Sequence, residues 1–217
     1  MQRLFDLFFS SLAIIIFSPI LLILIILLRF SGEGEIFYSQ ERVGFKKRKF
    51  GLLKFATMLK DSPNLGSGTV TVKNDSRVLP IGKILRKTKI NELPQLFNIF
   101  LGNMSIVGPR PLHEKQFSFY EDNDQLKIVS VKPGLSGMGS IIFRDEERYL
   151  EDSNDPDFTY RTKISPKKAA LEKWYVKNAS IFLYFKIIIV TFIVVLFSNI
   201  NAYKFFDSEL KDIVKNV

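Results

Sequence analysis

From Leu4 to Phe30 the chain is an almost unbroken run of Leu, Ile and Phe, and this run limits the possible folds more than any other stretch. About 20 apolar residues in a helix cross a bilayer core, so the segment is long enough to do so. It is too long for a signal-peptide core, and no small-residue cleavage site follows it, so retention as an anchor is expected. Two features interrupt it: Asp6 near its start, and Ser18-Pro19 at its middle, where proline removes a backbone hydrogen bond and favours a kink. Read from the residues alone, this is a kinked spanning helix. The cations that follow it, Arg42, Lys46, Lys47, Arg48, Lys49, Lys54 and Lys60, mark a cytoplasmic flank.

Composition narrows the chemistry. The 217 residues include no cysteine, which excludes disulfides, thiolate nucleophiles and cysteine zinc sites. His113 is the only histidine, so two-histidine metal motifs are excluded as well. A formal net charge of +9 suits an anionic partner. An apolar fraction of 47% beside that charge points to membrane lipids and not to nucleic acid, for which no aromatic–basic signature appears.

The candidate site lies between Arg86 and Leu112. Leu93, Leu96, Phe97, Phe100 and Leu101 recur at helical spacing. Asn91 reads as the N-cap, Pro94 falls in the first turn, and Gly102 stops the helix. Helix starts favour anions, and Arg86, Lys87 and Lys89 arrive just before this one. Arg110, between Pro109 and Pro111, offers a guanidinium fork suited to phosphate, and Glu92 is the one carboxylate among these cations. The pattern is that of a phosphate-handling site.

Glu92-Leu-Pro-Gln-Leu96 followed by Gly108-Pro-Arg-Pro111 resembles the bacterial sugar transferases, the monotopic phosphoglycosyl transferases. Other stretches carry the same resemblance: Gln40–Gly44, Lys54–Met58, Asp75 with Arg77, Pro133–Gly137, and Trp174–Ser180. It implies a fold mainly of helices with small β elements (α+β): a membrane segment at 1–31, broken at Ser18 and Pro19 into a re-entrant hairpin, and a cytoplasmic catalytic domain at 32–217. An apolar interfacial helix is expected at about 180–200. The implied activity is transfer of a phosphosugar from a UDP-sugar to polyprenyl phosphate, with Mg2+, at the cytoplasmic face of the bacterial inner membrane; a homo-oligomer is left open.

By the same resemblance Glu92 is the metal ligand, and Lys54, Arg86, Arg110, Asp75 and Arg77 are the phosphate contacts. For Asp75, capping of a turn is an equal reading. The family's nucleophile is the Asp of an Asp-Glu dyad, and this chain has Asn91-Glu92 there. An amide carries no charge and its lone pair is delocalised, so it does not replace that nucleophile. Ala56, Gly139–Arg144 and Tyr184 also depart from the family pattern, with Arg144 a loose stand-in for a family arginine. Three readings follow: a transferase in which Glu92, Asp75 or the lipid phosphate itself attacks; a non-catalytic relative that binds nucleotide sugar, lipid phosphate or a partner; and a member carrying an engineered Asp-to-Asn change, against which the other departures argue.

Elsewhere, 62–76 reads as a loop with a short strand at Thr69–Val72, and His113–Gln125 is helix-compatible. Asp145–Lys168 reads as a charged lid whose Glu146 and Glu147 are solvated, and Lys168–Lys177 as a helix. Ile181–Ile200 forms an apolar helix, and the tail from Tyr203 is amphipathic.

Overall fold

The computed structural model describes residues 1–62, 75–144, 155–197, 200–206, 210 and 212–213. The strand expected at Thr69–Val72, Glu146, Glu147 and most of the amphipathic tail lie outside the described residues. Helix α1 runs from Gln2 to Arg29, β1 from Phe37 to Val43 and β2 from Lys49 to Phe55. Helix α2 follows at Pro80–Lys87, a short 3-10 turn at Ile90–Glu92, α3 at Gln95–Leu101 and β3 at Ser105–Val107. The rest comprises α4 (Glu114–Phe117), α5 (Asp122–Ile128), β4 (Gly134–Ser136) and α6 (Met138–Ile142), then α7 (Pro156–Thr159), a π-helical turn (Tyr160–Ile164), α8 (Ser165–Asn178) and α9 (Ile181–Leu196). Mainly helical with two small sheets, this is the expected class.

The chain divides into two compact units. One contains Leu7–Glu41 and Gly51–Leu101. Its core gathers Leu21, Leu24 and Leu28 of α1 with Phe55 of β2 and Leu85 of α2. Those three leucines lie at i, i+3 and i+7, so a single stripe of α1 is buried. Most of the other apolar side chains of α1, among them Leu4, Phe8, Ile15, Ile16, Leu22, Ile23 and Ile26, are exposed, a surface compatible with membrane anchoring. The helix continues through Pro19 as one assigned element, and the Ser18 hydroxyl donates to the Ile15 carbonyl at 2.8 Å.

The other unit contains Met1–Asp6, Arg42–Phe50 and Gly102–Val217. Here β3 and β4 pair in parallel, Ser105 opposite Gly134 and Val107 opposite Ser136. Around them Val107, Met138, Leu171, Tyr184 and Ile187 form a core contributed by β3, α6, α8 and α9. The first turn of α1 is bonded into this unit through Asp6, a buried carboxylate. Its Oδ1 accepts from the Ser105 hydroxyl (2.9 Å), the Ile106 amide (3.0 Å) and the Tyr184 hydroxyl (3.0 Å). Gln2 adds bonds to Ser105 Oγ and the Val107 carbonyl.

Several expectations need correction. The central helix starts at Gln95 and not at Asn91, which sits inside the 3-10 turn with no capping bond. Lys89, in the left-handed region at φ 59°, reverses the chain just before that turn. With only seven residues, α3 buries Leu96 and Ile99, while Phe100 and Leu101 of the expected stripe are exposed. Gly102 does end the helix, at φ +90°. The His113–Gln125 segment breaks into α4 and α5. Within the expected lid, 156–168 is helical and buries Tyr160, Ile164, Ser165 and Lys168. Helix α8 appears where expected, and α9 stops at Leu196. At 16 residues it is about 24 Å long, short of a hydrocarbon core of about 30 Å.

Candidate active site

The Gly51–Phe55 part of β2, the 90–92 turn and α3 build the first part of the site, all within one unit. One edge of β2 presents the Gly51 carbonyl and the Leu53 amide, two residues apart and therefore on the same side. Asn98 of α3 meets both: its Oδ1 accepts from the Leu53 N–H at 2.9 Å, and its Nδ2 donates to the Gly51 carbonyl at 2.8 Å. This amide occupies the place of a missing neighbouring strand. Lys54, the next residue along β2, then reaches Glu92 Oε1 at 3.4 Å. Both side chains of that pair are about four-fifths buried, so the attraction is screened less than on an open surface.

Asn91 lies beside Glu92 and is 8% exposed, and its Oδ1 has no hydrogen-bond partner among the described residues. A buried amide oxygen left unbonded costs free energy, so its place in the site calls for an explanation. Arg86 lies half-buried in the last turn of α2, which packs on the 90–92 turn. Asp75 and Arg77 form a buried fork: Nε to Oδ1 at 2.8 Å and Nη2 to Oδ2 at 2.5 Å. The Arg77 amide also donates to Asp75 Oδ1 (3.0 Å), and Nη1 donates to the Ser62 carbonyl (2.7 Å). These bonds tie down the chain on either side of residues 63–74. Ala56 is buried at the end of the Lys54–Ala56 stretch.

Arg110 belongs to the other unit. Its backbone N–H donates to Glu172 Oε1 at 3.2 Å, and Gly108 in the same loop touches the backbone of Lys132, Pro133 and Gly134. Burial pushes the Glu172 carboxyl up to about 7, against the lowering effects of the Arg110 amide and Lys168. Arg144 donates to the Val194 carbonyl, near the end of α9. Thus Lys54 and Glu92 come together, as do Asp75 and Arg77, while Arg110 is framed by a different set of elements.

Sequence reading missed Asn98 and Glu172. Each is a polar residue in an apolar helical pattern, and that is the signal that could have found them: such residues stay buried only when bonded. Along α1, an open apolar groove of about 520 Å³ is lined by Leu7, Phe8, Ser11, Leu12, Ile15 and Phe100.

Residues 1–198 match the bacterial sugar transferase family. The chain is 34% identical over 195 residues to the exopolysaccharide production protein ExoY of Rhizobium meliloti, covering 83% of this chain and 79% of that protein. It is 33% identical over 187 residues to the UDP-N-acetylgalactosamine-undecaprenyl-phosphate N-acetylgalactosaminephosphotransferase of Aeromonas hydrophila, covering 84% of this chain and 40% of the relative. It is 34% identical over 196 residues to the UDP-glucose:undecaprenyl-phosphate glucose-1-phosphate transferase of Klebsiella pneumoniae, covering 88% and 39%. This chain therefore corresponds to most of ExoY and to less than half of the two longer transferases. With a match over 198 of its 217 residues, the chain belongs to the bacterial sugar transferase family.

Proposed function

We propose that this protein transfers a sugar phosphate from a UDP-sugar to polyprenyl phosphate at the cytoplasmic face of the bacterial inner membrane, the first membrane step of surface glycoconjugate assembly. The observation that carries this reading is the Lys54–Glu92 pair beside the unpartnered oxygen of Asn91. These groups supply a cation for a diphosphate, a carboxylate, and a buried acceptor that no donor among the described residues satisfies. The names of the Aeromonas and Klebsiella relatives pair a UDP-sugar with undecaprenyl phosphate, which supports the same substrate classes here.

The Ser18-Pro19 break and the cations that follow the apolar run support a re-entrant membrane helix with both of its termini on the cytoplasmic side. Ser18-Pro19 is then the point of deepest insertion. Helix α9 buries Tyr184, Ile187, Val190 and Val194 and exposes Phe182, Ile189, Phe192 and Val195, as an interfacial helix would. The apolar groove on α1 suits the chain of the lipid acceptor.

Among the described residues no cluster of three or more acidic or histidine side chains could hold a metal ion. Magnesium, however, commonly takes one or two carboxylates and fills its shell with substrate phosphates and water. Glu92 and the orphaned Asn91 Oδ1 fit that donor set and would hold the ion, which when bound would neutralise diphosphate charge. Lys54 and Arg86 bind the remaining phosphate oxygens, and the family motif alone assigns Arg110 as a further phosphate contact. A Glu92 oxygen attacks the β-phosphorus, the bond to the α-phosphate oxygen breaks, and UMP departs with that electron pair. A polyprenyl phosphate oxygen then attacks the same phosphorus and the bond to Glu92 breaks, restoring the carboxylate. Asp75 is less suited to attack because both of its oxygens are engaged by Arg77.

The test is UMP release from a panel of UDP-sugars with polyprenyl phosphate and magnesium. Wild type should turn over and Glu92→Gln should not; turnover that survives Glu92→Gln would sink the assignment of Glu92. A second reading rests on Asn91 standing where the family has its nucleophile: the protein binds these ligands without turning them over. On that reading wild type releases no UMP with any donor, and Asn91→Asp creates activity.

A further inference from the structure

The Gly108–Pro111 loop crosses a glycine-rich stretch of backbone. A Cβ at Gly134 or Gly137 would collide with the Gly108 backbone, so the two segments touch without side chains between them. Beneath this crossing Glu172 enters from α8, only 3% exposed. A Cβ at Gly139 would lie 2.5 Å from Glu172 Oε1, so the absent side chain is what admits the carboxylate. Oε1 accepts from the Arg110 backbone N–H at 3.2 Å, the Gly139 backbone also bonds the carboxylate, and Oε2 has no hydrogen-bond partner among the described residues. A buried carboxylate is costly, and an apolar or amide side chain would fill the same space more cheaply. Its placement at the one residue between two prolines points to a local task.

We propose that Glu172 is a positioning residue for anion recognition, its ionised carboxylate fixing the backbone of Arg110 so that the guanidinium is presented to a diphosphate. The inference rests on the reading that Arg110 contacts the phosphates of a nucleotide sugar. The charged and titratable groups that face Glu172 are few. Lys168 lies one turn away on α8, with its ammonium over the rings of Tyr160 (5.3 Å) and Phe143 (5.9 Å). Arg110 and Tyr175 also interact with it by charge, and α6 presents the Gly139 backbone. On α5, Asp124 is engaged by Lys173 at 2.8 Å. Burial places the ionisation of Glu172 at about 7, so the clamp tightens as pH rises through neutrality.

The test uses the full chain in detergent and UDP-glucose, whose diphosphate has no group titrating near neutral pH. Wild type should bind at least about threefold more tightly near pH 8 than near pH 6. Glu172→Gln, which keeps shape and an acceptor oxygen, should lose the pH dependence and bind at the low-pH wild-type level. Glu172→Asp, which keeps the charge, should retain a pH-dependent affinity. Identical profiles for wild type and Glu172→Gln would overturn the proposal and leave Glu172 a packing residue. Arg110→Ala tests the underlying reading separately: unchanged affinity near pH 8 removes that reading, whereas a loss of about tenfold or more upholds it whatever Glu172 does.

Discussion

Asn98→Ala is the sharpest test of how the site is assembled. Asn98 is 3% exposed and serves two backbone groups of β2, the Leu53 N–H at 2.9 Å and the Gly51 carbonyl at 2.8 Å. Alanine removes both partners and restores neither, and it is too small for another strand or a side chain to take over. A fully buried backbone group left without a partner costs about 1–3 kcal/mol, and the two here are part-buried. Two such groups give roughly 3 kcal/mol after partial relaxation toward water. For a chain of this size that corresponds to a fall in melting temperature of roughly 6–12 °C. Hydrogen exchange supplies the local readout: the Leu53 amide, protected in wild type by the Asn98 carbonyl oxygen, should exchange much faster in the variant. Asn98→Asp separates the two bonds, because a carboxylate still accepts from Leu53 but faces the Gly51 carbonyl with repulsion. It should protect the Leu53 amide while still lowering the melting temperature. Asn98→Ala melting within about 1 °C of wild type, with Leu53 still protected, would refute the view that this amide seals the edge of β2.

Three further outcomes are expected. Asp75→Asn breaks the fork to Arg77 and leaves the guanidinium without its counter-charge, so the melting temperature should fall. Tyr184→Phe removes one of three donors to Asp6, and thermal unfolding should show a loss of roughly 1–2 kcal/mol. Cysteines introduced at Gln2 and at Gly34 should both resist a membrane-impermeant reagent applied from outside intact cells; labelling at Gln2 alone would establish a true span and exclude the hairpin.

Some of this was legible in the residues themselves. The apolar run beginning at Leu4 had to be a membrane-compatible helix, because in hydrocarbon a backbone must satisfy its own hydrogen bonds. Helix α8 follows from local propensity in the same way. The Glu92–Leu96 and Gly108–Pro111 motifs pointed to the family that the comparisons then identified. The stop at Gly102 was equally readable, since a left-handed residue after an apolar turn is a local event. Where local signals conflicted, reading failed. Asn91 is a good N-cap by type, yet Lys89 turns the chain early and the capping position passes out of its reach.

What the chain alone determined, therefore, was its class, its family and its apolar N-terminal helix, and it supplied the residue types of the candidate site. The tertiary structure decided which of those residues meet. Lys54 finds Glu92 across 38 positions because Asn98 holds α3 against the edge of β2, and the Arg110 amide finds Glu172 across 62 because Gly139 leaves room for a carboxylate. Helix and turn propensities act over a few residues and leave their mark on neighbouring letters. The pairing of a buried polar group with a distant backbone depends on which surfaces the core brings within 3 Å, and no short window of sequence encodes that distance.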